Sequence, residues 1–377
     1  MAFVEFNKGL RFFSDFSESA SDGSWSVDCK TLRGGLSDGL EIIEVIAGDF
    51  SFTILPSKGM GLWKGKFKNL NLGWNSPVLG PVNPNQIELE RRNGLGWLDG
   101  FDEWFCRCGL VSNGPPGNSS DGNRYTLHGR IANLPAHHLS FRTPNESTGV
   151  IEIKGIVEES ALFSPKLVLE TTYSIEVGSN SLKVVDKVKN LGSSKADFQL
   201  LYHCNIGQPF LSENSYWIAP LSEIAPQTKN ASLGMKSYGK FEASQPGFKE
   251  QVFLCKPLQD KSGKSFAMMV NPILKAGFVI KFDAKALPCF TVWKNMGSGE
   301  EGYVVGLEPA TNYPNFIDFE KSQNRFVSLK PNEEWIAELR LQVLTNANEV
   351  LELENQILSM QTIEVKLHLT PGVPFSP

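Results

Sequence analysis

Short runs in which apolar and polar residues alternate recur along almost the whole chain, and no other feature limits its fold as strongly. Phe50 to Leu55 (FSFTIL), Val150 to Val157 (VIEIKGIV), Leu167 to Val177 (LVLETTYSIEV) and Leu182 to Leu191 (LKVVDKVKNL) are period-2 patterns rich in β-branched residues. Side chains of a strand point to opposite faces in turn, so this spacing predicts strands with one face buried. Phe278 to Phe282, Cys289 to Trp293, Val304 to Leu307 and Ile336 to Val343 continue the theme, with 34 Gly and 22 Pro punctuating the runs. Helical spacing is confined to Asn346 to Met360, where Val350, Leu353, Ile357 and Leu358 would share one face. Strand and helix do not alternate, which excludes a doubly wound or TIM-type fold. The expectation is an all-β antiparallel sandwich with few short helices and a C-terminal helix. At 377 residues, 41% of them hydrophobic, the chain can fill one large β domain.

Charge and cysteine usage narrow the function classes. Lys plus Arg total 36 against 41 for Asp plus Glu, with no basic cluster longer than a pair, so nucleic acid is not an expected partner. Six scattered cysteines lie mostly in apolar runs, which suits a reducing compartment. Glu5, Lys8, Arg11 and Asp15 interrupt the N-terminal apolar residues, so no signal peptide is read there. No stretch approaches the roughly 18 uncharged apolar residues of a membrane helix. The N-x-S sequons at Asn118, Asn145 and Asn230 then carry no meaning. A cytoplasmic protein, monomeric or homodimeric, with no membrane partner is expected.

Leu70 to Gly122 is rich in loop residues and holds Trp74, Trp97 and Trp104. Loops of this length are usually functional or disordered, and the tryptophans argue against disorder. They serve either as flat faces for a ligand or as loop anchors; the sequence leaves both open. Gly297, Gly299 and Gly302 spell G-x-G-x-x-G, but between two strand-like runs, so this is a hairpin loop and not a dinucleotide site. Lys261 to Ser265 lacks the earlier glycine of a P-loop, and Cys106-Arg-Cys108 is too tight for a zinc knuckle. No cofactor and no metal are expected.

Of five histidines, His128 and His203 each close a strand-like run, in YTLHGRIAN and FQLLYHCNIG. Strand ends and the loops after them commonly carry function. Alone, each is better read as a structural histidine. Glu308, in YVVGLEPATNYPN, likewise ends a strand. Taken jointly, a histidine and a glutamate at strand mouths can work as general acid and base near neutral pH. His137 and His138 are adjacent and point to opposite faces of a strand, so they are left as structural.

WLDGF (97–101), RCGLVSNG (107–114), LHGRIANLPA (127–136), LLYHCNIG (200–207) and GLEPATN (306–312) occur in an order that resembles the galactose mutarotase (aldose 1-epimerase) superfamily, in its poorly characterised bacterial-type branch. The agreement runs from about residue 30 to 345. The resemblance implies one β-supersandwich domain over residues 1–377, with a small-molecule sugar bound in an open cleft across one sheet. It implies Glu308 as the base that removes the anomeric hydroxyl proton and His203 as the acid that protonates the ring oxygen. The ring then opens, C1–C2 rotates, and reclosure gives the other anomer. By the same resemblance His128 and Arg107 contact the sugar, Glu250 stands where mutarotases place a gripping Asp, and Trp293 and Lys294 point into the cleft. Arg130, with Lys294, would recognise an anionic substituent.

The chain departs from the branch pattern at Lys58-Gly59-Met60-Gly61, where R-G-M-D is usual, and at Asn205, where mutarotases carry an aromatic. Nearby carboxylates would be expected to hold the His203 proton to higher pH. The expected function is an isomerase that interconverts anomers of an aldose or modified aldose. A non-catalytic carbohydrate-binding or sensing protein on the same fold is the alternative. A glycoside hydrolase would need two carboxylates flanking the bond, and Glu250 is a weak second to Glu308.

Overall fold

The computed structural model describes residues 3–6, 16–145 and 148–377. Lys8, Arg11 and Asp15, part of the signal-peptide reading, and the end of the Asn145 sequon lie outside the described residues. Among those described, two large sheets face each other, one of nine strands and one of 14. The alternating segments form long antiparallel neighbours: Val150–Glu159 pairs with Leu167–Glu176, which pairs with Ser181–Asn190 and so on to Glu334–Leu344. Burial alternates strictly along Val150–Glu159, as a sheet with one face in water requires.

The inner faces of both sheets share one apolar cluster, which draws on residues from Val27 to Val343. The predicted helix forms over Ala347–Met360 and buries Val350 and Ile357, with the Asn346 side chain capping the Asn348 N–H. Gly297 to Gly302 links Met296 to Tyr303 as a hairpin, as its sequence position indicated. All six cysteines are buried and unbridged. No helix among the described residues is long and apolar enough to cross a membrane.

Four consecutive strands of the larger sheet matter for the site. Phe105–Leu110 pairs with the histidine strand, Ala196–Ile206. That strand pairs with the glutamate strand, Tyr303–Ala310, which pairs with the tryptophan strand, Cys289–Met296. Their inner faces supply Phe105, Tyr202, Cys204, Val305, Leu307 and Val292 to the core. Their outer faces are buried too, because the loop-rich region folds over them. Trp74, Trp97 and Phe101 pack there against Cys106, Cys108, Leu201, Val304 and Ala310. Trp104 instead fills the main core, fully buried. All three tryptophans of that region are therefore anchors in this structure.

Candidate active site

Register on the outer face brings the chemistry together. His203 lies opposite Cys106, and Cys204 opposite Leu307, which sets His203 across from Glu308 on the next strand. His203 Nε2 is 3.2 Å from Glu308 Oε1, with both side chains almost wholly buried. Glu308 Oε1 lies close over Gly306, where an added Cβ would come within 2.2 Å of it. A side chain at 306 would displace the carboxylate, so glycine there is a spatial requirement.

The other face of the imidazole is fixed by an amide. Asn205 Nδ2 donates to the Glu103 carbonyl at 2.8 Å, which turns its Oδ1 towards His203 Nδ1 at 2.6 Å. An amide oxygen can only accept, so Nδ1 carries a proton and Nε2 faces the carboxyl. Nε2 is thus the nitrogen turned to the carboxyl, 3.2 Å away and without a hydrogen bond of good geometry.

Burial acts on both groups. It pushes the Glu308 carboxyl well above the usual carboxylate range, and the negative charge of Glu250 adds to the shift. Burial lowers His203 to about 3, with His128 contributing and Asn205 opposing. Both shifts favour the uncharged form of each group. This corrects the expectation that neighbouring carboxylates would hold the histidine proton to higher pH: desolvation outweighs their attraction.

His128 sits at a positive φ of 58° before Gly129, and its Nδ1 bonds the Asn113 carbonyl at 2.8 Å. Its ring centroid is 5.6 Å from that of His203 and 4.7 Å from Trp97. Burial takes it down to about 4, opposed by the Asn113 hydrogen bond. Asn113 and Asn312 exchange reciprocal amide hydrogen bonds of 2.8 and 2.9 Å. The asparagines of the S-N-G and A-T-N segments thus tie the His128 loop to the end of the glutamate strand.

Trp293 shares the outer face, 5.4 Å from His203 between ring centroids, and its indole N–H donates to Glu250 at 2.7 Å. Glu250 is exposed at the rim. Phe101 closes over His203 at 5.1 Å. Glu308, His203, His128, Trp293 and Glu250 are thereby gathered at one place.

Three predicted contacts are not. Arg107 points inward from its strand, opposite Tyr202, and is wholly enclosed between the sheets. Its guanidinium grips Asp186 through two hydrogen bonds, one of 2.9 Å, and also donates to Met60 O and the Tyr173 hydroxyl. The period-2 rule explains the correction: Cys106 and Cys108 face the site, so Arg107 cannot. Lys294 is likewise one residue out of phase with Trp293. It bonds the Lys240 carbonyl at 2.9 Å and Glu242 at 2.6 Å, on the other side of the sheet. Arg130 is exposed and lines a separate cavity.

Lys58, one of the two departures, is buried and pairs with Glu103 at 2.5 Å while donating to the Gly100 carbonyl at 2.6 Å. Asp102 lies 3.7 Å away, and burial with Glu103 beside it pushes this carboxyl up to about 6. The cluster fixes the Phe101 to Trp104 loop, whose Glu103 carbonyl receives both Asn205 and the Trp74 indole N–H. Sequence reasoning missed this scaffold. Asn205 was legible as a departure, and its i+2 spacing from His203 would have placed both on one face. Among the described residues no three His, Cys, Asp or Glu side chains are grouped so as to hold a metal ion.

Comparison with known proteins follows this geometry. A family model described as a domain of unknown function (DUF4432) matches residues 37–343. A solved structure from Klebsiella pneumoniae subsp. pneumoniae, described as a "putative aldose 1-epimerase", is 33% identical, with 98% of this chain and 99% of that one covered and a TM-score of 0.94. A galactose mutarotase-like protein from Clostridium acetobutylicum matches at 18% identity, over 85% of this chain and 98% of its own, with a TM-score of 0.57. Galactose 1-epimerase from Lactobacillus acidophilus matches at 12% identity, over 85% and 99%, with a TM-score of 0.52. These last two show the fold alone. No curated protein matches the chain. The chain belongs to the DUF4432 family, on the galactose mutarotase-like fold of the aldose 1-epimerase superfamily.

Proposed function

We propose that this protein is an aldose 1-epimerase-like isomerase that interconverts the anomers of a free or modified aldose, with Glu308 and His203 as its acid–base pair. The observation that carries this reading is the 3.2 Å approach of His203 Nε2 to Glu308 Oε1. Mutarotation needs one group to take the anomeric hydroxyl proton while another protonates the ring oxygen. A carboxyl and an imidazole at this distance have that capacity.

In the forward step a sugar settles beside the pair and its hydroxyls replace apolar surroundings. That polarity favours the charged form, and the proton crosses from Glu308 to His203. Glu308 then accepts the O1 proton as His203 protonates O5, the C1–O5 bond breaks, and the open aldehyde rotates about C1–C2. Reclosure on the other face returns both protons. His128 and Glu250 are placed to bind hydroxyls, and Trp293 offers its ring to the sugar face. Arg107, Lys294 and Arg130 have no part in this step. We further propose that the chain acts as a single domain in the cytoplasm, as a monomer or homodimer; its unbridged cysteines suit a reducing compartment.

The closed aromatic cover supports a second reading. With Phe101, Trp97 and Trp293 within 5.1 to 6.2 Å of the His203 ring, a sugar must displace side chains to reach the pair. A binding protein that only senses a sugar would tolerate such a cover. Anomer exchange measured by NMR on a panel of neutral and acidic aldoses separates the two. Glu308→Gln is expected to abolish catalysed exchange while sugar binding persists. Exchange unchanged in that variant would sink the catalytic assignment, and binding without exchange in the wild type would favour the sensor.

A further inference from the structure

Lys58 is a buried cation with no part in the proposed step, yet its contacts run towards the imidazole. It stands in the turn between Phe50–Leu55 and Gly61–Phe67 and is 1% exposed. Its ammonium donates to the Gly100 carbonyl at 2.6 Å, pairs with Glu103 Oε1 at 2.5 Å and has Asp102 Oδ1 at 3.7 Å. Burial works against this charge, but Glu103 and Asp102 outweigh it and hold the proton more firmly than on a free lysine. All three partners lie between Gly100 and Glu103, so one side chain clamps that segment at both ends. Glu103 Oε2 also accepts the Asp102 N–H at 3.1 Å, and Asp102 Oδ2 accepts the Trp63 indole N–H at 2.7 Å.

The clamped segment presents one carbonyl and one ring to the site. The Glu103 carbonyl takes the Asn205 amide N–H at 2.8 Å and the Trp74 indole N–H at 3.1 Å, which uses both its lone pairs. Phe101, between the two anchor points, closes over His203 at 5.1 Å. The first contact sets the aim of Asn205. An amide is nearly symmetric in shape, so the partner on its far side determines whether oxygen or nitrogen meets His203 Nδ1. With the Glu103 carbonyl in place the nitrogen is turned away, and the oxygen faces the ring at 2.6 Å. The other acceptor within reach of Nδ2, the His203 carbonyl, is 3.5 Å away, too far to hold the amide alone.

We propose that Lys58 is a positioning residue for His203. By clamping Gly100 and Glu103 it holds the carbonyl that aims Asn205, and so keeps the ring proton on Nδ1 and Nε2 bare towards Glu308. Were that carbonyl to swing away, Asn205 would be free to reverse and the ring proton to move to Nε2. The kinetic consequence rests on the anomer-exchange reading, in which a bare Nε2 receives the Glu308 proton; the tautomer itself does not. The clamp is electrostatic, because either partner without the other is an unpaired buried charge.

Imidazole nitrogen shifts and catalysed anomer exchange, measured by NMR on Lys58→Met, Asn205→Ala and the double variant, test the clamp. Lys58→Met is expected to move the His203 nitrogen shifts in the same direction as Asn205→Ala and to lower kcat about 10–100-fold, with the larger share of the loss in kcat and not in KM. Since both act through one amide, the double variant should fall within about threefold of Asn205→Ala alone. Effects that multiply overturn the proposal, as do unchanged His203 shifts in a folded Lys58→Met, which is the outcome for a lysine that only stabilises the fold. Lys58→Gln keeps a donor for the Gly100 carbonyl without the charge and carries the same expectations where Lys58→Met does not fold. A wild type without anomer exchange sinks the functional reading and leaves the ring shifts to decide the clamp.

Discussion

Arg107–Asp186 and His203–Glu308 are two buried pairs of ionisable side chains, and Arg107 and His203 sit on neighbouring strands one residue out of phase. Tyr202 lies opposite Arg107 and faces the sandwich interior; His203 lies opposite Cys106 and faces outward. The inner pair is a bidentate fork, and both N–H groups of Nη1 go to Met60 O and Tyr173. Four of the five guanidinium N–H groups are bonded, and the pair behaves as structure. The outer pair is spare by contrast: Glu308 Oε1 lies 3.2 Å from His203 Nε2 and has no hydrogen bond of good geometry. Burial costs an ion its hydration, and the loss is offset only where partners are supplied. The comparison shows that a buried pair is made chemical by what is left unsatisfied around it.

The largest effect should come from breaking the inner pair. Asp186→Asn leaves the Arg107 guanidinium enclosed without a counter-charge, and about 3–5 kcal/mol of stability should go with it. Urea titration followed by tryptophan fluorescence reads this; a loss under 1 kcal/mol would mean that the interior tolerates the charge unaided. On the outer face, Asn205→Ala should cost about 1–3 kcal/mol, because it leaves the buried His203 Nδ1–H unpaired, and should release the tautomer. Anomer exchange is then expected to fall about 10–100-fold, with a changed pH profile and altered imidazole nitrogen shifts. Unchanged ring shifts would show that another group holds the tautomer.

The smallest effect concerns a buried carboxyl outside both pairs. Burial raises Glu159 to about 7, against the hydrogen bond from Leu110 and the attraction of Arg130. Its folded value lies above its unfolded one, so the stability it contributes is complete below about pH 4.5 and lost as pH rises through 7. Glu159→Gln should remove that loss, making the variant gain on the wild type by about 1–3 kcal/mol between pH 4.5 and 8. Parallel stability curves for the two proteins across that range would contradict the shift.

Alternation along Val150–Glu159 and its neighbours could be read directly, because period 2 is a local property of a strand. So could the helix after Asn346 and the hairpin at Gly297 to Gly302. The acid–base candidates were legible as well, since each closes an apolar run beside a motif. Arg107 and Lys294 were misplaced although the same period, applied to Cys106 and Trp293, would have turned them away from the site. The buried role of Lys58 lay beyond such rules, because its partners Asp102 and Glu103 come from a distant loop.

The sequence by itself determined that this chain builds an antiparallel β-sandwich and that His203 and Glu308 lie on strands, although both sit inside their strands and not at the ends. Only the tertiary structure decided that these two meet, that Asn205 selects the tautomer, and that burial favours the uncharged form of each. The physical reason is that strand direction and side-chain phase are set by adjacent residues, whereas register and burial depend on neighbours supplied across the sheet. Desolvation, which overrides the expected attraction between carboxylate and imidazole, exists only once the loop carrying Trp97 and Phe101 has folded over the strands.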